Sequence, residues 1–472
     1  MDIYYISASE VLRKIVKKEI SCEEVMKAQL RRIEKIQPIL NAFEQLLSSE
    51  EAIRLARQAD QNIAKKTPLG RLHGLPVTVK DQYYVEGFIT SWGNQALYES
   101  RKGKPVKDST VAARFRKEGA IIIGMTNVPE MLICPESDNL VFGRSKNPYD
   151  LSRTPGGSSG GEGAAVASGC SYLGIGSDGG GSIRVPSHFS GIAGIKPSNR
   201  IVPDTGSGLG DDAGLLSYAV TAGPMARTVD DLILGLSVLA GPDEYDPHVV
   251  PIPLQSPSKV DLKELRVAFY TDDGNRTPTK ETQDTVRKAA AALTEFVARV
   301  QEDRPKGLER TWPLLWEGVF LGGDGGDGCK EFLKQINSTK LSPLFQEFVA
   351  RAEACKFSTM ELRSRLKEID KLRIQMLSFF QNYDVILCPV VATPAKLHGK
   401  GLKEIEDLTY TMTYNITGSP ACVVRCGTTS DGLPIGVQIV AKRWRDDVAL
   451  AVAKQLESIF GGWKPSPLKE LQ

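Results

Sequence analysis

At 472 residues the chain is long enough for two to four small domains or one large α/β unit. Its 41% apolar and 25% charged residues exclude a disordered chain and a collagen-like fibre. Lys+Arg 59 against Asp+Glu 57 leaves +2, too even a balance for a nucleic-acid footprint, so the expected partner is a small molecule.

No run of about 18 apolar residues occurs, and the start, MDIYYISASE, has neither the basic nor the apolar stretch of a leader. A cytoplasmic protein without a transmembrane segment is expected. The eight cysteines, at 22, 134, 170, 329, 355, 388, 422 and 426, form no C-x-x-C and have no nearby histidine pair, so reduced thiols and no bound metal are expected. The sequons at Asn275, Asn337 and Asn415 carry meaning only on a secretory route.

In chain order, residues 1–66 hold Ser7/Glu10, Ser21/Glu24 and Ser48/Glu51, capping boxes that predict three amphipathic helices forming a scaffold. In the second helix Met26, Leu30 and Ile33 mark the buried stripe, with Lys27, Arg31, Arg32 and Lys35 on the other faces. From about Leu69 short apolar runs alternate with helical patches, LPVTV (75–79), 109–119 and AIIIG (120–124), the order of a βαβ unit in a buried, partly parallel sheet. Residues 154–194 are the densest glycine stretch, but AAVASG and YLGIG within it read as buried elements, so a packed site is expected there rather than a linker. A Pro-rich connector covers 241–262. Beyond it, strands are expected at 265–270, 384–389 and 433–440, helix signals run from Leu362 to Met376, and a last helix covers 446–460.

Gly174 to Gly179 matches G-x-G-x-x-G, yet it runs into more glycine and Pro186 instead of opening a helix, which disfavours a dinucleotide site; no P-loop string exists. Gly156 to Gly160 matches the G-x-S-x-G elbow, which needs a later histidine such as His188, His248 or His398, but no strand-like run precedes it. The lysine alternative starts from Lys80. On a strand, Thr78 and Lys80 share one face, and an amine at a strand end beside a glycine-rich cavity can lose enough hydration to become a base near neutral pH.

Three strings in order, HGLPVTVKD (73–81), PGGSSGGEGAA (155–165) and GSDGGGSIRVPS (176–187), closely resemble the amidase signature family of serine hydrolases. The similarity continues through Ala421 and GLPIGVQIVAKRW (432–444). The resemblance implies one large domain over 1–472, with a helical scaffold (1–66), a catalytic core (67–240) and the remaining sheet, helices and pocket walls (263–472). The implied fold class is α/β: a mixed, mostly parallel twisted central sheet covered by helices on both faces.

It implies a Ser–Ser–Lys triad with Lys80 as base, Ser158 as bridging serine after a non-proline cis peptide, and Ser182 as nucleophile. Amides of Gly179, Gly180 and Gly181, with that of Ser182, can converge on an oxyanion once glycine removes side-chain obstruction. Ser159, Asp178 and Arg184 are expected to support the site. At position 179 the family more often carries threonine or isoleucine. Glu162, the FGGW string (460–463) and the glycine-rich 322–328 string resemble the fatty acid amide hydrolase branch. There Leu132, Ile133 and Cys134 would line the acyl pocket, and Trp312, Trp316, Phe320, Phe345, Phe348 and Phe379 could add apolar wall. The expected activity is amide hydrolysis through an acyl-enzyme, by a monomer or homodimer, with no cofactor, no nucleic acid and at most peripheral membrane contact. The alternative is the glutaminase subunit of a glutamyl-tRNA amidotransferase-type complex.

Overall fold

A computed structural model describes residues 2–208 and 214–472. Each of the three N-terminal serines caps a helix, at Ala8–Val16, Cys22–Leu40 and Ser49–Ala64, by accepting an amide hydrogen bond three residues on. Only Glu24 closes a full box; Glu10 and Glu51 turn instead to Arg13 and Arg54. Arg32 departs from the polar face assigned to it. It is buried, donating to Ser168 O at 2.8 Å, Leu471 O at 2.6 Å and the Tyr5 hydroxyl, and so ties the N-terminal helices to the chain's end.

The strands are β1 (Phe43–Leu46), β2 (Pro76–Lys80), β3 (Ile121–Thr126), β4 (Asp138–Asn139), β5 (Gly143–Arg144), β6 (Leu173–Asp178), β7 (Ala193–Lys196), β8 (Thr221–Ala226), β9 (Arg266–Phe269), β10 (Arg299–Glu302), β11 (Val385–Pro389), β12 (Ala421–Thr428) and β13 (Pro434–Ala441). β4 and β5 pair with each other. The other eleven form one sheet in the order β1-β3-β2-β6-β8-β7-β12-β13-β11-β9-β10.

The sheet is mixed and flanked by helices, but it is not mostly parallel: four pairings are parallel and six antiparallel. Parallel pairing is confined to two blocks, β3-β2-β6 and β10-β9-β11. β8 and β13 are buried along their whole length yet pair antiparallel with both neighbours, so the βαβ order seen at 75–124 does not extend across the sheet. Strands from 67–240 and from 263–472 adjoin at β7-β12, so both halves of the chain build the same sheet. The 241–262 connector is irregular apart from a 3-10 turn at Pro257–Lys259 and the start of another at Leu262.

Two features position the site. β2 and β6 are parallel neighbours, which brings Lys80 and Asp178, the last residues of each, to the same sheet edge. The chain then leaves β6 through a tight glycine-rich turn and enters a short helix, Arg184–Phe189, so that Ser182 stands between strand end and helix start.

Candidate active site

Strand alternation places Thr78 and Lys80 on the β2 face that meets residues 158–162. Thr78 Oγ1 donates to Glu162 Oε2 at 2.6 Å, and Lys80 Nζ lies 2.6 Å from Ser158 Oγ and 2.7 Å from Ser177 Oγ. Lys80 is fully buried. Burial pushes its ammonium from 10.5 down to about 7, against the pull of Asp178, Asp204, Glu162 and Asp81. Among the described residues no carboxylate reaches its nitrogen; its hydrogen-bond partners are two hydroxyls. Glu162 beneath it is also desolvated, and burial raises its carboxyl to about 8 although Thr78 and Thr126 donate to it.

Ser158 follows a cis peptide from Gly157. A Cβ on Gly157 would lie 2.4 Å from Cys134 O and 2.6 Å from Glu136 N, so the 134–136 backbone presses directly on this peptide and only glycine fits. Just upstream, Met131 and Leu132 both take positive φ, at 55° and 63°, a conformation that non-glycine residues rarely adopt. Ser159 joins the two serine strings: its amide donates to Ser182 O at 3.2 Å, and its hydroxyl to Ser177 O at 3.3 Å.

Asp178 organises the turn that carries Ser182. Its carboxylate accepts from the amides of Gly181 (2.8 Å), Ile183 (3.1 Å) and Arg184 (3.3 Å), and from Asn415 Nδ2 at 2.9 Å. Arg184 clamps it with Nε at 2.9 Å and Nη2 at 2.8 Å. Burial works to raise this carboxyl, but the Arg184 guanidinium outweighs it and holds the group well below the usual carboxylate range. Arg184 is itself saturated by Thr411 O, Gln438 Oε1 and Asn415 Oδ1. Asn415, one of the sequons, is thus a buried structural residue.

One expected oxyanion donor is redirected. The Gly181 amide points into Asp178, whose buried charge demands donors, whereas the amides of Gly179, Gly180 and Ser182 have no partner among the described residues. Gly181, at φ 133°, also lets Thr411 approach, since a Cβ there would sit 2.5 Å from Thr411 Oγ1.

An apolar cleft of about 40 Å³ opens on Ser182 and Gly180. Leu132, Ile133, Cys134, Trp316, Phe320 and Met412 are among its walls. Of the other aromatics expected as wall, Trp312 and Phe348 back Trp316 with ring centroids at 5.7 and 6.0 Å, Phe345 stacks on Phe348, and Phe379 packs elsewhere, on Tyr383.

Histidine plays no part in the described contacts of Ser158 or Ser182. His188 commits both ring nitrogens to backbone, at Thr393 O and the Gly436 amide, and burial lowers it to about 4; His248 is exposed. Two residues that the motifs did not single out belong to the site: Ser177, and Gln82, whose Oε1 accepts from Ser177 Oγ. A polar residue two positions after the strand-end lysine was the only available signal.

Fold and site define an α/β enzyme with a buried lysine, a serine on a cis peptide and a second serine in a glycine-rich turn, gathered at the carboxyl ends of parallel strands. The chain belongs to the amidase family, whose model, described as Amidase, matches residues 24–450. It is therefore an amidohydrolase. It is 32% identical over 491 residues to Fatty-acid amide hydrolase 2 from Homo sapiens, covering 97% of this chain and 90% of that protein. It is 30% identical over 484 residues to a Glutamyl-tRNA(Gln) amidotransferase subunit from Cyanothece sp., covering 96% and 97%. The solved structure of a fatty acid amide hydrolase superposes with a TM-score of 0.87 at 27% identity, over 97% of this chain and 86% of that one.

Proposed function

We propose that this chain is a stand-alone carboxamide hydrolase that works through an acyl-enzyme on Ser182, with Lys80 and Ser158 as its proton relay. The observation that carries the reading is the 2.6 Å contact between a buried Lys80, which has no carboxylate partner among the described residues, and Ser158 Oγ, with Ser159 bonding the Ser182 backbone beside it.

Neutral Lys80 takes the Ser158 hydroxyl proton as Ser158 takes that of Ser182, and Ser182 Oγ bonds to the amide carbon. Charge collects on the carbonyl oxygen, where the amides of Gly179, Gly180 and Ser182, without a partner among the described residues, can meet it; Gly181 keeps the turn in shape through Asp178. Loss of one such donor typically costs about 2.7–4 kcal/mol of barrier. The proton then returns through Ser158 to the leaving nitrogen, the C–N bond breaks, and water repeats the sequence on the ester to release the acid and restore Ser182.

The purified chain alone is expected to hydrolyse simple primary and N-aryl amides. A fluorophosphonate is expected to label Ser182, and Ser182→Ala to abolish both. Labelling at another serine overturns the assignment. Turnover of glutamine alone, and only with a co-purified partner, would place the chain with the amidotransferases instead.

A further inference from the structure

The ring of Phe320 covers Gly179 and Gly180, whose amides have no partner among the described residues. A Cβ built on Gly180 would lie 3.3 Å from Phe320 Cε2, and one on Gly179 3.3 Å from Phe320 Cζ and 2.9 Å from Val220 Cγ2. Phe320 thus fills the space a side chain at 179 would use. It ends a nine-residue π-helical segment, Trp312–Phe320, in which Leu321 N bonds back to Trp316 O. The segment is a partition. Trp316 and Phe320 face the cleft at Ser182, while Leu315 and Val319 line a second apolar cavity of about 260 Å³ with Ala219, Ile369 and Ile416.

The cleft itself, about 40 Å³, has room for roughly three water-sized groups at about 10–15 Å³ each. Pockets that hold drug-sized ligands run to about 300–1,000 Å³. The leaving nitrogen must reach the proton on Ser158, which does not line this cleft. The wall of Trp316, Phe320 and Met412 is therefore left to the carbon substituent of the carbonyl.

Resting on the hydrolase reading above, we propose that Phe320 sets the size of the acyl group: the enzyme takes compact acyl groups of about two to four carbons, and the Phe320 ring closes the cleft to longer chains.

The test is kcat/KM for acetyl, butyryl, octanoyl and dodecanoyl p-nitroanilides with the full chain, Phe320→Ala and Phe320→Leu. The wild type is expected to favour acetyl or butyryl over octanoyl at least tenfold. Phe320→Ala is expected to raise the octanoyl-to-acetyl ratio at least tenfold, with Phe320→Leu between. If Phe320→Ala does not fold, the wild-type series and Phe320→Leu decide. Wild-type turnover indifferent to chain length, or a ratio unmoved in a folded variant, overturns the size limit while leaving the hydrolase reading intact. Absence of turnover on every anilide overturns the hydrolase reading and the size limit with it.

Discussion

Replacing Lys80 by methionine tests whether the buried amine is neutral when the protein works. Moving an amine from 10.5 to about 7 is worth about 5 kcal/mol, at about 1.4 kcal/mol per tenfold. The sign follows from proton counts. Below pH 7 Lys80 is charged in both the folded and unfolded chain, and folding bears the whole penalty. Between pH 7 and 10.5 only the unfolded chain holds the proton, so the penalty shrinks as pH rises, and above 10.5 it is gone. At pH 6 the wild type therefore carries about 5 kcal/mol, and at pH 9 about 2 kcal/mol. Lys80→Met removes this and takes away the partner of the Ser158 hydroxyl, a loss of about 1–3 kcal/mol that does not vary with pH, while Ser177 keeps its bond to Gln82 Oε1. Glu162 titrates in the same window in both proteins and largely cancels. Urea unfolding followed by tryptophan fluorescence should find the wild type gaining about 3 kcal/mol on Lys80→Met between pH 6 and pH 9. Over the same range wild-type kcat/KM should rise through an apparent pKa near 7, and Lys80→Met should be inactive throughout. A stability difference that stays constant with pH, or an active methionine variant, refutes the neutral-lysine argument.

Arg184→Gln leaves Asp178 without its counter-charge, a change expected to lower stability by about 3–5 kcal/mol and to move the acidic limb of the pH–rate profile upward, because the uncompensated carboxylate favours the Lys80 ammonium; Arg184→Lys should hold the limb near its wild-type position. Ser177→Ala removes one of the two hydroxyls that accept from Lys80, so the ammonium loses support and the limb should move below its wild-type value while kcat falls. A fall in kcat with an unmoved limb would give Ser177 a packing role only.

Lys80, Ser158 and Ser182 are legible as candidates because each lies in a contiguous string of the family resemblance, while strand alternation, a local property, adds that Thr78 and Lys80 share a face. Apolar periodicity is local too, and the last helix, expected over 446–460, spans Asp446–Phe460. Partnership across the sheet is not legible. Ser177 meets Lys80 only because parallel register pairs Thr78 with Gly174 and Val79 with Ile175, carrying the lysine alongside 176–177. The same limit hides the direction of the Gly181 amide, which depends on where Asp178 sits after the turn closes, and the seat of Phe320 on glycines far earlier in the chain.

Those long-range contacts divide the charge of the site in a way that the motif strings do not express. Asp178 and Lys80 end neighbouring strands, and a direct ion pair between them would hold the amine as ammonium and end its use as a base. The fold avoids this by giving Asp178 a guanidinium, three backbone amides and Asn415, so that its negative charge is committed to the Ser182 turn. Among the described residues Lys80 is left with hydroxyls only. Glu162, another carboxyl that pulls on it, is desolvated and shared between two threonines, which weakens its claim on the lysine near neutral pH. The proposed relay thus needs a carboxylate that stays charged beside an amine held near neutrality, and Arg184 is the residue that makes the two compatible.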